Sequence, residues 1–377
     1  MGCWNDNSKR CWKCRNVYEK NIEPVMKDQI GIERTGLGYG FTPPAGKRQI
    51  PQERKDRLDE IFGYWLDMIP FDKIAEEHGD VMTEIDTDFQ KCVYGVILQV
   101  PGINEMLPEE GDILIAKHKT HKNIRYSGIF LTAFYNAIDA KNIEFDAEAD
   151  DLIDYVGFGL RSGKTLVLRS DTGENTGSCS KGAIVNHAKS KILGDSAECD
   201  IINYGESETA ARGFKGRFLN YGQIKEFGKT KEGVVVNFGH VDKFDEDEDA
   251  GTGILINMET CGSFPGVGVD IAINFGEAED FDCFRDGLFI NSGTVKIKQL
   301  TQGDSMVCLD LSKREHAEIK QYIDDLKKKI ESYKTAQYPA CLGVFDLVYQ
   351  EIGSKEKLEN KLGIIRPPKE SRVINTW

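Results

Sequence analysis

Short apolar runs, each closed by an asparagine, recur through the middle of the chain. The runs Ala183–Val185, Asp200–Ile202, Arg217–Leu219, Val234–Val236, Ile254–Ile256, Ile271–Ile273 and Leu288–Ile290 end at Asn186, Asn203, Asn220, Asn237, Asn257, Asn274 and Asn291. Successive asparagines lie 17, 17, 17, 20, 17 and 17 residues apart. A fixed short period marks a solenoid, because one repeat cannot bury its own apolar side and must stack on its neighbours. Seventeen residues are too few for a helix pair. They suit one coil of a β-helix, with strands of successive coils ~4.8 Å apart and about eight coils in a rod roughly 40 Å long.

The polar positions fit the same coil. Stacked asparagine amides can hydrogen-bond from coil to coil and cap the corner backbone. Glycine follows two positions after the asparagine in five of the seven runs, with Ala188 and Glu259 in the other two. A corner that needs positive φ would demand it. A second glycine precedes the run at Gly182, Gly216, Gly233, Gly253 and Gly287. The three extra residues between Asn237 and Asn257 fall in the acidic stretch Asp245–Asp249, which predicts a loop bulging from one corner.

The flanks change period. Pro51 opens a helix with Leu58, Ile61, Phe62, Trp65, Leu66 and Ile69 on one face, ended by Pro70. A short helix from Phe71 to Gly79 and a third over Asp88–Val100 follow. Ile113-Leu114-Ile115 predicts a strand, and Ile129–Ile138 a buried helix or strand. Residues 51–150 are thus expected to form a small α or α+β domain covering the first end of the solenoid. Residues 1–50 form an irregular head, broken by Gly36, Gly38, Gly40, Pro43, Pro44 and Gly46. Beyond the repeat, Ser312-Lys313-Arg314-Glu315 makes a capping box. Ile319, Ile323, Leu326 and Ile330 then trace a helical stripe ending in Lys327–Lys329. The segment 301–377 is expected to cap the unpaired strand edges at the far end. The fold class is α+β, with the solenoid over 151–300, a helical N-terminal domain and a C-terminal capping helix.

Two stretches, Tyr155–Leu168 and Asp171–Asn186, run through glycine, apolar strand and Asn-x-Gly-like corners. They resemble the glycine-repeat (G-x-x-G-x-x-x-G) solenoid that occurs at the C-terminus of glutamate synthase large chains and in one of the chains of formylmethanofuran dehydrogenase. The resemblance covers residues 150–295. Later coils carry Lys, Glu and Asp where that family favours Gly. It implies a right-handed β-helix serving as a structural or interface domain, and it brings no catalytic residues.

Composition narrows the function. Hydrophobic residues make up 40% of the 377, enough for a sizeable core. The net charge of -14 and pI of about 5.1 repel a phosphate backbone, so nucleic acid is not an expected partner. No stretch approaches the ~18 apolar residues of a membrane span. The N-terminus has no apolar signal core, and Asp6 stands where myristoylation wants Ser or Thr. A cytoplasmic location follows as the expectation, with the ten scattered cysteines reduced.

Candidate chemistry is sparse. Cys11-x-x-Cys14, with Cys3 upstream, has the spacing of half a zinc site. His118-x-x-His121 could complete it. Lys117, Lys119 and Lys122 oppose a bound cation there, and a solvated basic loop competes with that reading. Asp245, Asp247 and Asp249 before Gly251 suggest a calcium loop. Ala250 and Ile256 stand where its glycine and glutamate belong, so a solvated acidic loop is the better reading. Gly36-Leu37-Gly38-Tyr39-Gly40 has neither a strand before it nor a helix after it, so it reads as a loop. There is no G-x-S-x-G elbow and no P-loop. His187 and His240 sit at the first and third positions after their asparagines and cannot stack at one equivalent site. The leading expectation is a scaffold or a member of a larger complex that binds a protein partner. The alternatives are an enzyme with its site on one solenoid face, and a zinc-dependent adaptor built on Cys3, Cys11 and Cys14.

Overall fold

The computed structural model describes residues 51–68, 93–147, 149–228, 232–244, 252–265, 270–283, 287–300, 307–311 and 317–364. The head with Cys3, Cys11, Cys14 and Gly36–Gly40, the segment 71–79, the acidic stretch Asp245–Asp249 and the capping box Ser312–Glu315 lie outside these residues.

Helix α1 (Gln52–Met68) forms where its apolar stripe predicts, with Leu58, Ile61, Phe62, Trp65 and Leu66 buried. Helix α2 (Glu109–His118) overturns the strand expected at Ile113-Leu114-Ile115. Glu109, Glu110 and Asp112 in its first turn and Lys117 and His118 in its last complement the helix dipole. Leu114 and Ile115 are buried while Ile113 is 46% exposed, so the three residues divide between faces of a helix. Helix α3 (Gly128–Ala137) settles the other ambiguity, and all its residues are buried. Such a helix needs its polar side chains satisfied. Thr132 Oγ1 donates to Gly128 O at 2.7 Å and accepts from Gly157 N at 2.8 Å. Asn136 donates to Gly159 O and accepts from Arg161 N. These bonds stitch α3 to the first, irregular turn of the solenoid.

Two parallel sheets follow. The first has ten strands, β1 (Asn142–Phe145), β2 (Thr165–Leu168), then β3 (Ala183–Asn186), β5 (Asp200–Asn203), β7 (Arg217–Asn220), β9 (Glu232–Asn237), β11 (Thr252–Asn257), β13 (Ile271–Asn274), β15 (Leu288–Asn291) and β17 (Val307–Asp310). The second interleaves β4 (Lys189–Leu193), β6 (Glu206–Ala210), β8 (Gln223–Phe227), β10 (His240–Phe244), β12 (Thr260–Pro265), β14 (Glu277–Cys283) and β16 (Thr294–Leu300). The asparagines pair in register from Asn186 to Asn291, and Asp310 takes the next rung. Lys243 pairs with Ser263 and Glu232 with Thr252, each 20 residues apart. The three extra residues therefore lie between Lys243 and Thr252, the interval of sequence that includes Asp245–Asp249.

The ladder does the work its chemistry predicts. Each Asn Nδ2 from Asn186 to Asn274 donates to the next coil's Asn Oδ1 at 2.8–2.9 Å. The same Nδ2 also reaches the carbonyl two residues on, as in Asn220 to Gly222 O at 3.2 Å. All seven side chains are buried. The corner glycines have a different cause from the one expected, because Gly222 and Gly276 are not in the positive-φ region. A Cβ on Gly222 would lie 1.9 Å from Gly205 O, and one on Gly276 1.8 Å from Glu259 O. Close approach of stacked backbones, not turn geometry, excludes a side chain.

Two apolar clusters divide the molecule. One runs from Leu58 and Phe130 in the helices through Phe218, Val235 and Leu255 inside the coils to Phe289. The N-terminal helices and the solenoid interior thus share a core, and β1 belongs to the solenoid sheet. The other joins the outer face of the ten-stranded sheet, with Val185, Ile202, Leu219, Val236, Ile256 and Ile273, to the C-terminal helices. Those are α4 (Ala317–Glu331), α5 (Gly343–Glu351) and α6 (Lys355–Lys361). Contacts trace their path. Asp324 meets Ser292, Lys327 Nζ donates to Phe275 O, Tyr333 O accepts from Tyr221, and Tyr338 bonds Thr165 in β2. The chain then turns back, with Phe345 and Asp346 beside Arg217. The helix expected over the terminal strand edge is present, and what it covers is a sheet face along its length.

Candidate functional site

One solenoid corner carries a stack of rings, most of which pack against the C-terminal segment. There the residue after each ladder asparagine points out of the coil, and the parallel register stacks these residues in a column. His187 and Tyr204 lie 4.9 Å apart at 8°, Tyr204 and Tyr221 5.0 Å at 7°, and Tyr221 and Phe238 5.3 Å at 9°. Stacked rings cover each other's faces, so the column presents edges. Beside it runs a groove of about 770 Å³, lined by these rings, by Gly205, Gly222 and Gly239, and by Arg169, Lys189, Glu206, Gln223, His240, Glu259, Thr260 and Lys334. Lys334, from the C-terminal segment, pairs with Glu259 at one wall.

Burial tunes the column. It pushes the Tyr204 phenol up to about 12, with the Cys341 thiol beside it as a second cause. It raises Tyr221 as well. Burial and then the Arg169 charge lower the His187 pKa. Cys341 itself is buried and its thiol is raised by desolvation, the opposite of an activated cysteine.

The outer face of the seven-stranded sheet adjoins the groove. Its outward positions carry charges that alternate by coil, and several pair across strands. Lys189 meets Glu206 at 2.8 Å, Lys225 meets Glu208 at 3.7 Å and Lys296 meets Glu279 at 3.4 Å. His240 sits between neighbours, with Nδ1 2.7 Å from Thr260 Oγ1 and Nε2 2.6 Å from Asp242 Oδ1.

His118 and His121 are paired with helix α1. His118 Nε2 lies 3.1 Å from Asp59 Oδ1, and His121 Nε2 lies 3.0 Å from Asp67 Oδ1. Lys117 also meets Asp59. The segment is therefore docked to an acidic face of α1 and is not a free basic loop. Among the described residues no group of three or more His, Cys, Asp or Glu side chains is placed to hold a metal ion. Cys3, Cys11 and Cys14 lie outside those residues. Among the described residues, no helix is long and apolar enough to cross a membrane.

The aromatic column was not anticipated from the sequence, although its signal is there: His, Tyr, Tyr and Phe follow four successive ladder asparagines. Fold and site together define a parallel β-solenoid sealed at its first end by a buried helix and strapped along one face. Compared with protein-family models, with curated proteins and with solved structures, the chain gives no match. The glycine-repeat resemblance rests on its own residues alone.

Proposed function

We propose that the chain is a structural or interaction protein whose solenoid is a rigid scaffold for a protein partner. The supporting observation is the unequal treatment of the two sheet faces. The chain's own helices cover the apolar face. Among the described residues nothing covers the other face, which carries ordered, alternating charge, with Lys189, Lys191, Glu206, Glu208 and Lys225 exposed. Parallel coils fix those charges at a regular ~4.8 Å spacing, and charge complementarity favours recognition and rate of encounter. The location proposed with it is the cytoplasm, where thiols stay reduced. Cys179, Cys199, Cys261 and Cys341 are free.

Native mass spectrometry of the protein purified gently from its own cells tests this reading. The expected result is a mass above the monomer by a protein-sized increment, lost when Lys189, Lys191 and Lys225 are all changed to Glu. A bare monomer from wild-type cells would sink it.

A further inference from the structure

His240, Thr260 and Asp242 are brought together by register alone. Alternation along β10 puts His240 and Asp242 on the outer face, with buried Val241 between them. Parallel pairing sets Thr260 beside His240. The ring then spans a hydroxyl at 2.7 Å and a carboxylate at 2.6 Å. A neutral imidazole with its proton on Nε2 satisfies both contacts: Nε2–H donates to Asp242, and the Nδ1 lone pair accepts from Thr260 Oγ–H. This is the arrangement that turns a weak nucleophile into an activated one, with a base in reach of the hydroxyl and a third group orienting the base.

Its surroundings give a substrate room. Thr260 and His240 line the end of the corner groove, with Lys334 at the same mouth. Where the adjacent strands place Asp242 and Glu279 on the outer face, this strand has Gly262, so the strand itself raises no side chain at that position beside the hydroxyl. A Cβ at Gly262 would lie 2.0 Å from Asp242 O, so the gap is set by the stacking.

We propose that Thr260, His240 and Asp242 form an acyl-transfer site for small esters at the mouth of the corner groove. Thr260 Oγ attacks the ester carbonyl carbon and its proton passes to His240 Nδ1. The bond from the acyl carbon to the alkoxy oxygen breaks, and the leaving alcohol takes that proton. Water, deprotonated by the same nitrogen, then releases the acid and restores Thr260. Asp242 is a positioning residue that holds the tautomer. This activity is independent of the scaffold reading and goes beyond it.

The test uses the full chain and p-nitrophenyl acetate, with nitrophenolate release followed by absorbance and the acetyl group mapped by peptide mass spectrometry after an acid quench. The expected result is acetyl on Thr260 and a rate that drops about a hundredfold in both Thr260→Val and His240→Gln, the scale of general-base assistance. Thr260→Ser should keep the activity, and Asp242→Asn should reduce it and displace its pH profile. The substituted side chains lie on the outer face, and an unchanged circular dichroism spectrum shows that each variant folds. A wild-type rate in Thr260→Val, or acetyl found only on lysines or on His240, overturns the proposal.

Discussion

The two sheets of this solenoid are built from the same coils, yet their outer faces obey different rules. On the ten-stranded sheet the outward positions are Val185, Ile202, Leu219, Val236, Ile256 and Ile273, and helices α4 to α6 bury them. On the seven-stranded sheet they are Lys189, Glu206, Gln223 and His240, and solvent covers them. The strand period is two on both, so a sheet whose outward and inward positions are both apolar announces a covering layer. Stability therefore resides on one face, and recognition is free to vary on the other.

The sharpest way to break that contrast is to cut the covered face. Phe345→Ala removes a fully buried ring from the strap and should cost about 3–5 kcal/mol, read from the urea midpoint. Close behind comes the ladder. Asn237→Ala leaves the amide of Asn220 and the side-chain oxygen of Asn257 without their partners. A loss of about 2–4 kcal/mol is expected, since each orphaned buried group costs roughly 1–3. A third test lies at the helical end. Asp112 Oδ1 and the Tyr135 hydroxyl are both buried without a hydrogen-bond partner. Burial, with Asp146, Glu109 and Glu144 nearby, raises Asp112 to about 7 from an ordinary 3.8. The folded state then binds this proton more tightly than the unfolded state. Stability from this group is fully present below about pH 4, falls as pH rises toward 7, and is flat above. Asp112→Asn should remove that decline in a series of denaturation curves, and a variant with the wild-type pH dependence would contradict the assignment. The smallest effect belongs to the exposed face, where Lys189→Glu should leave the urea midpoint almost unchanged. A larger loss in that variant would mean that the two faces do not divide as described.

Much of this architecture was legible because one residue type reports it. The asparagine period fixed the coil length, the ladder and the place of the insertion. Other features were opaque for physical reasons. The corner glycines invited a positive-φ reading, while the actual constraint is a carbonyl in the coil below, which a local sequence does not display. Ile113-Leu114-Ile115 looks extended on composition, but flanking charges and a helical neighbour decide it. His118 and His121 suggested a metal or a loop, and their partners Asp59 and Asp67 lie more than 50 residues away. The relay at His240 was invisible for the same reason, since Thr260 becomes its neighbour only through the extra-long coil.

The strap formed by α4 to α6 has a consequence for how such a chain can change over generations. An ordinary solenoid lengthens by duplicating a coil, because each coil touches only its neighbours. Here Tyr338 is tied to Thr165 at one end of the sheet and Asp324 to Ser292 near the other. One added coil would separate those anchor points by ~4.8 Å, and the helix bridging them would need about three further residues at roughly 1.5 Å each. Gain or loss of a repeat must therefore be matched by a compensating change some distance along the chain, so the strap works as a ruler that holds the coil number fixed.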